Sequence, residues 1–276
     1  MAKLYQTFST LARYPVGVRL GVFVVILLLL WLPIAVPIYW VWGTSNLTSI
    51  VTMLALYGEF IFLLQLWGQK VHRQVHPLAS HGVSGTRRNA LELLKGVGIG
   101  VTSLLCLFIL EGLLSWLTWQ SSTQFLPKII LEGLGVALGV GFAEELLFRG
   151  WLVDELQWDY GFKVALWISS SIYATLHFIK PWGEVLRTLP SFPGLLLLGL
   201  TLGWARQVSQ GHLGSAIGLH AGLVWGYYII NVAELVRYSQ QVPPWVTGID
   251  RNPLAGAMGL LFLSVIALSL RITSSN

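Results

Sequence analysis

The sequence predicts an all-α fold, a polytopic membrane helix bundle with about eight transmembrane helices. Hydrophobic residues make up 55% of the 276 residues and charged residues 11%, a ratio that does not fit a water-soluble surface. A bilayer core needs roughly 20 apolar residues per helix, and segments approaching that length recur along the whole chain. They begin near Leu20, Leu47, Leu91, Ile129, Lys163, Pro193, Leu213 and Pro253. We therefore expect a single integral membrane domain over residues 1–276.

The sixth of these segments is short, from Pro193 to about Arg206. It carries Gly194, Gly199 and Gly203, and small residues allow helices to approach closely in a membrane. The segment is therefore predicted to pack inside the bundle.

The basic residues predict the orientation, because Lys and Arg accumulate in cytoplasmic loops. With the N-terminus inside, most of the 17 Lys and Arg residues fall on the cytoplasmic side. These are Lys3, Arg13, Arg19, Lys70, Arg73, Arg87, Arg88, Lys95, Arg149, Lys163, Arg206 and Arg271, which leaves Lys128, Lys180, Arg187, Arg237 and Arg251 outside. Both termini are thus predicted to be cytoplasmic. The net charge of +5 is explained by the bilayer as partner, and no nucleic acid is expected.

The main cytoplasmic loop, Gln69 to Asn89, contains His72, His76 and His81. Their spacing would allow a metal site, but the composition favours a solvated loop near anionic headgroups.

The charges inside the apolar segments are the strongest functional signal, since a charged side chain at the bilayer centre costs about 3 kcal/mol. The fourth segment contains Glu144, Glu145 and Arg149. Glu145 and Arg149, four residues apart, share a helix face and can pair. Glu144 points about 100° away, and an unpaired carboxylate in an apolar cavity can act as a general base toward water. The alternative is a buried ion-pair network that sets helix register.

Two further segments carry intramembrane histidines, His177 and His220. Tyr173 precedes His177 by one helical turn, so its phenol could brace the imidazole or supply a donor. Glu59 and Glu111 have no basic partner at helical spacing, which indicates either a packing role or part of an ion path. Glu132 has Lys128 four residues before it, which predicts a surface pair.

These motifs, Glu-Glu-x-x-x-Arg, aromatic-x-x-x-His and a later histidine after a glycine, resemble those of the CPBP family of intramembrane proteases. This family includes the type II CAAX prenyl endopeptidases and the bacterial abortive-infection membrane proteins. The resemblance covers residues 131–231, the expected catalytic core.

The resemblance implies a role for each motif residue. Glu144 corresponds to the base that activates water, and His177 to its partner. Glu145 and Arg149 complete the first motif, while His220 corresponds to the histidine that helps to stabilise the oxyanion.

The chain departs from the family pattern at two positions. Tyr173 stands where the second motif has phenylalanine, and Val224 where the third has asparagine one turn after the histidine. Asn231 is roughly 16 Å from His220 by helix rise, so the missing donor is expected from His220, Tyr173 or Trp225.

The metal requirement is open at this point. Glu144, His177 and His220 could form a zinc site with an open water position, or they could activate water without metal. The second interpretation is favoured, and no cofactor is assigned.

The sequence thus predicts an intramembrane endopeptidase that hydrolyses a membrane-bound or lipidated peptide, in the family a prenylated CAAX tail, with a glutamate-activated water. One alternative is a CPBP-fold membrane interaction or immunity protein whose chemistry is impaired at Val224. The other is a proton-coupled transporter in which Glu59, Glu111, Glu144 and the histidines line a path.

Overall fold

The computed structural model describes residues 10–274, and this part of the chain is almost entirely helical. Lys3 and the two chain ends, which entered the prediction of orientation, lie outside the described residues. The helices are α1 (Val16–Trp42), α2 (Asn46–Lys70), α3 (Pro77–Ser80), α4 (Arg87–Leu113), α5 (Leu126–Glu145), α6 (Val153–Leu176), α7 (Trp182–Thr188), α8 (Phe192–Val208), α9 (Gly214–Val232), α10 (Pro244–Thr247) and α11 (Ala257–Thr273). A π-helical segment, Leu146–Leu152, joins α5 to α6.

The predicted apolar segments all coincide with helices of the structure. Within residues 10–274, five helical stretches are long and apolar enough to cross a membrane. The longest, Leu126–Leu176, is interrupted at Gly161, whose φ of 73° lies in the left-handed region that glycine adopts without strain. The chain is an all-helical membrane protein, while the count of eight crossings stays a prediction.

A small sheet is the one departure from the predicted all-α fold among the described residues. Strands β1 (Leu117–Trp119) and β2 (Val236–Tyr238) pair antiparallel, with Leu117 opposite Tyr238. The pairing joins the segment after α4 to the segment after α9.

Helices α4 and α9 approach so closely that their backbones touch. A Cβ atom added to Gly218 would lie 2.0 Å from the carbonyl oxygen of Leu93, and one added to Gly100 would lie 2.6 Å from that of Leu219. Only glycine permits this distance, since the contact atoms are backbone and cannot move aside. This contact places His220, on α9, at a defined depth beside α5.

Helix α8 packs in the interior as its glycines predicted. A Cβ on Gly199 would lie 2.8 Å from Cβ of Ser170, and one on Gly203 would lie 2.1 Å from Cδ1 of Leu166, both on α6. The prediction for this segment is confirmed. Helices α6 and α8 therefore form a rigid wall behind the π-helical segment.

Candidate active site

The carboxylate of Glu145 is the centre of a fully buried polar cluster. Its Oε1 atom accepts a hydrogen bond from Nη1 of Arg149 at 3.1 Å and lies 2.8 Å from Nδ1 of His220. None of the three side chains is more than 4% exposed. The predicted pair between Glu145 and Arg149 is confirmed, and the structure adds His220 to it.

Arg149 is fixed on several sides. Its guanidinium lies over the ring of Tyr173, 4.2 Å from the ring centroid, and its Nε donates to the carbonyl of Gly199 at 3.4 Å. Cation–π contacts are worth about 2 kcal/mol when they are desolvated. Arg149 therefore compensates the buried charge of Glu145 and keeps the phenol of Tyr173 in place.

Glu144 is the accessible member of the cluster. Its side chain is 28% exposed, and its Oε2 atom lies 3.9 Å from Nε2 of His220. That oxygen is buried yet accepts no hydrogen bond from the described residues. The phenol of Tyr173 interacts with the same carboxylate. Glu144 thus has the free lone pairs that a base acting on water requires.

His220 bridges the two glutamates, with Nδ1 toward Glu145 and Nε2 toward Glu144. Because an ionised carboxylate can only accept, Nδ1 carries a proton and donates a hydrogen bond to Glu145. With Nδ1–H engaged in this way, Nε2 is the atom that faces the accessible side of the cluster.

His177 lies at the C-terminal end of α6, one turn beyond Tyr173, and its side chain is exposed. Its Nδ1 donates to the backbone carbonyl of Tyr173 at 2.8 Å, and the two rings meet edge to face with centroids 4.6 Å apart. The imidazole is therefore oriented by the backbone carbonyl and the ring face of Tyr173. Its Nε2 is left free, and among the described residues no hydrogen bond joins it to Glu144.

The π-helical segment places Arg149 against α8. A π-helix shifts the backbone hydrogen bonds by one residue, and such segments are frequent at functional sites. Here neighbouring helices donate to its backbone, with Oγ of Ser169 bonded to the carbonyl of Phe148 at 2.8 Å and Arg206 bonded to the carbonyl of Arg149. The sequence predicted an ordinary α-helix at this point and did not indicate the π geometry.

Two acids directly after the first motif anchor the surrounding elements, and the sequence analysis missed both. Asp154 forms a bidentate pair with Arg206, at 2.8 and 3.0 Å, and contacts Nδ1 of His81 at 2.7 Å. Its carboxylate links α6 to α8 and to the loop before α4.

Glu155 performs the same role on the other side of α6. It pairs with Nε of Arg19 at 2.8 Å, accepts from Nε1 of Trp67 at 2.8 Å, and lies 2.6 Å from Nε2 of His72. Helices α1 and α2 are thereby joined to the helix that follows the active-site motif. Two adjacent acids in an apolar stretch were the available sequence signal.

The interpretation of this segment as a solvated loop was wrong for two of its three histidines. The side chains of His72 and His81 are only 4% and 5% exposed and pair with the buried acids, whereas His76 is exposed. These two ion pairs hold the loop against the helix bundle.

A metal site is not assembled from these side chains. Among residues 10–274, no group of three His, Cys, Asp or Glu side chains is arranged to bind a metal ion. The conditional zinc set of Glu144, His177 and His220 is not among such groups and stays a prediction.

The structure removes one of the three side chains that could replace the missing asparagine as a hydrogen-bond donor. Nε1 of Trp225 already donates to the carbonyl of Ile130 at 2.9 Å, and Val224 lies in an apolar wall. His220 and Tyr173 are the two candidates that remain beside Glu144.

The remaining acids lie outside the cluster. Glu132 forms the predicted exposed pair with Lys128, 3.7 Å apart. Glu111 is buried at the end of α4, and neither carboxylate oxygen has a hydrogen-bond partner among the described residues. It lies near Tyr238 of β2, where burial and then this acid raise the pKa of the phenol.

Fold and site together define an integral membrane protein with an acid–base cluster buried among its helices. Residues 126–226 match the family model described as type II CAAX prenyl endopeptidase Rce1-like. The matched segment overlaps residues 131–231, over which the motifs resemble the CPBP family, and it contains Glu144, Glu145, Arg149, Tyr173, His177 and His220. No curated protein and no solved structure matches the chain significantly.

Proposed function

We propose that the protein is an intramembrane endopeptidase that hydrolyses a membrane-associated peptide with a water activated by Glu144. The observation that carries the proposal is the asymmetry between the two adjacent glutamates. Glu145 is fully buried and neutralised by Arg149, whereas Glu144 is partly exposed, with an oxygen that no protein group occupies. Such a pair assigns one acid to structure and the other to proton transfer.

The proposed chemistry begins when Glu144 accepts a proton from water and the water oxygen attacks the carbonyl carbon of the scissile peptide bond. Negative charge then develops on the carbonyl oxygen. The tetrahedral intermediate collapses as the carbon–nitrogen bond breaks, and Glu144 returns the proton to the leaving amine. The products are one carboxylate and one amine.

Oxyanion stabilisation is assigned to the two polar groups beside Glu144. Tyr173 carries a hydroxyl where the family has phenylalanine, and Nε2 of His220, which donates only when the ring is protonated on both nitrogens, lies on the same side. Preorganised donors of this kind contribute about 3 to 4 kcal/mol each. His177, exposed and with Nε2 free, is placed to contact the substrate or the attacking water from the end of α6.

The substrate class follows from the family and the bilayer. The family implies a CAAX-type peptide, and the site is surrounded by helices whose outer faces are apolar. We propose a lipidated or membrane-bound peptide, with a prenylated CAAX tail as the first probe.

The test is cleavage of a farnesylated CAAX peptide and a panel of membrane peptides by purified protein in liposomes. Glu144→Gln should lower kcat/KM by at least about 100-fold, the usual contribution of a general base. Glu132→Gln is the matched control on the same helix, because its carboxylate is exposed at the surface. A chelator should have no effect, since the donor set does not form a metal site.

A second candidate, a membrane interaction protein with impaired chemistry, is favoured by Val224 in place of the motif asparagine. It predicts that wild type and Glu144→Gln alike cleave none of the peptides while both retain their cellular activity. That result would overturn the enzymatic proposal.

A further inference from the structure

An apolar cavity of about 130 Å³ is lined in part by His220, a member of the polar cluster around Glu144 and Glu145. Helices α4, α8, α9 and α11 form its walls, and the turn at 252–254 closes one end. The cavity wall includes Ser103, Leu104, Leu198, His220, Val224 and Phe262.

The polar atoms in this wall are engaged within the protein. The hydroxyl of Ser103 donates to the carbonyl of Gly100 at 3.0 Å, and that of Tyr227 donates to the carbonyl of Arg251 at 3.2 Å. The side-chain oxygen of Asn252 accepts from the backbone N–H of Leu254. A ligand would therefore meet hydrocarbon surface, which selects an apolar group.

His220 is shared between the cavity and the catalytic cluster. Its two ring nitrogens face Glu145 and Glu144, while the residue also forms part of the cavity wall. Val224, one turn further along α9, continues the same wall. A group in the cavity would thus contact His220, the residue whose Nε2 lies 3.9 Å from Oε2 of Glu144.

We propose that this cavity is a specificity pocket that receives one apolar side chain of the substrate, next to the bond that is cleaved. The inference rests on the proposed function. The volume of the cavity fits a single side chain, because cavities of about 150 Å³ lined by leucine and phenylalanine bind benzene. Val224 then determines which side chains the pocket accepts. An apolar pocket wall also accounts for valine, and not asparagine, one turn after His220.

The experiment compares peptides that carry alanine, leucine or phenylalanine on either side of the cleaved bond, in liposomes, with the cut position determined by mass spectrometry. Val224→Phe and Ser103→Leu fill the cavity from two different helices, and Val224→Ala enlarges it. Leu105→Phe is the matched control, because Leu105 neighbours the cavity wall on α4 but points outward, 39% exposed.

Both filling variants should shift the preference toward alanine by at least about tenfold in relative kcat/KM, since one or two methylene groups in an apolar pocket are worth that much. Val224→Ala should shift it toward phenylalanine, and Leu105→Phe should leave it unchanged. The alanine peptide should still be cleaved by every variant.

Two results would overturn the inference. One is an unchanged size preference in the variants, including Val224→Ala, while wild type remains active. The other is activity that follows the acyl-chain length of the liposome lipid instead of the peptide side chain, which would make the cavity a lipid site. Failure of wild type to cleave any peptide would instead overturn the proposed function, so the two failures are distinct.

Discussion

Replacement of Asp154 by asparagine tests whether the buried ion pair behind the active site stabilises the fold. Asp154 and Arg206 are 12% and 9% exposed, and their two hydrogen bonds are 2.8 and 3.0 Å long. Removal of one partner leaves the other charge buried without compensation, a loss of about 3 to 5 kcal/mol. At roughly 2 to 4 °C per kcal/mol for a chain of this size, Asp154→Asn should lower Tm by about 6 to 20 °C.

The assay is thermal unfolding of purified protein in one detergent, followed by tryptophan fluorescence. Glu132→Gln is the control, because its pair with Lys128 also joins a carboxylate to a cation but lies at the surface, with the two side chains 52% and 69% exposed. Exposed pairs contribute about 0.2 to 1 kcal/mol, so this variant should melt within about 4 °C of wild type. The double variant Asp154→Leu with Arg206→Met should recover most of the lost stability, since apolar residues of similar size can replace a buried pair.

The reasoning is refuted if Asp154→Asn melts as the surface control does. In that case the guanidinium of Arg206 would be sufficiently compensated by its bonds to the carbonyls of Arg149 and Gly211. The carboxylate would then contribute no net stability.

Three further predictions concern packing and catalysis. Gly218→Ala should prevent correct folding, because its Cβ would lie 2.0 Å from a backbone oxygen. Gly98→Ala on the partner helix α4 should fold normally, because its Cβ would lie in open space. Size-exclusion profiles and Tm distinguish the two variants. Tyr173→Phe should lower kcat by about 100-fold with little change in KM if the hydroxyl stabilises the oxyanion, and an unchanged kcat would remove Tyr173 from the mechanism. Val224→Asn, which supplies a hydrogen-bond donor at this position, should raise kcat on peptides with small side chains. The comparison is with Val224→Ala, and an equal kcat in the two variants would show that a donor at position 224 does not limit catalysis.

The sequence determined the class of protein and most of the cluster. Apolar segments must be buried in lipid, so their recurrence along the chain predicts the bundle. Charged residues within such segments are costly, which singles out Glu144, Glu145 and Arg149. The pair between Glu145 and Arg149 was predictable because residues four apart share a helix face. These are local properties, which need no knowledge of which helices meet.

The contacts between residues that are far apart in the sequence are determined only by the tertiary structure. Glu155 pairs with Arg19, 136 residues away, and Asp154 with Arg206, 52 residues away, because specific faces of α1 and α8 meet α6. The exposure of His177 likewise depends on where α6 ends relative to its neighbours. Long-range ion pairs and cavities arise from the relative placement of helices, which periodicity along one helix does not specify.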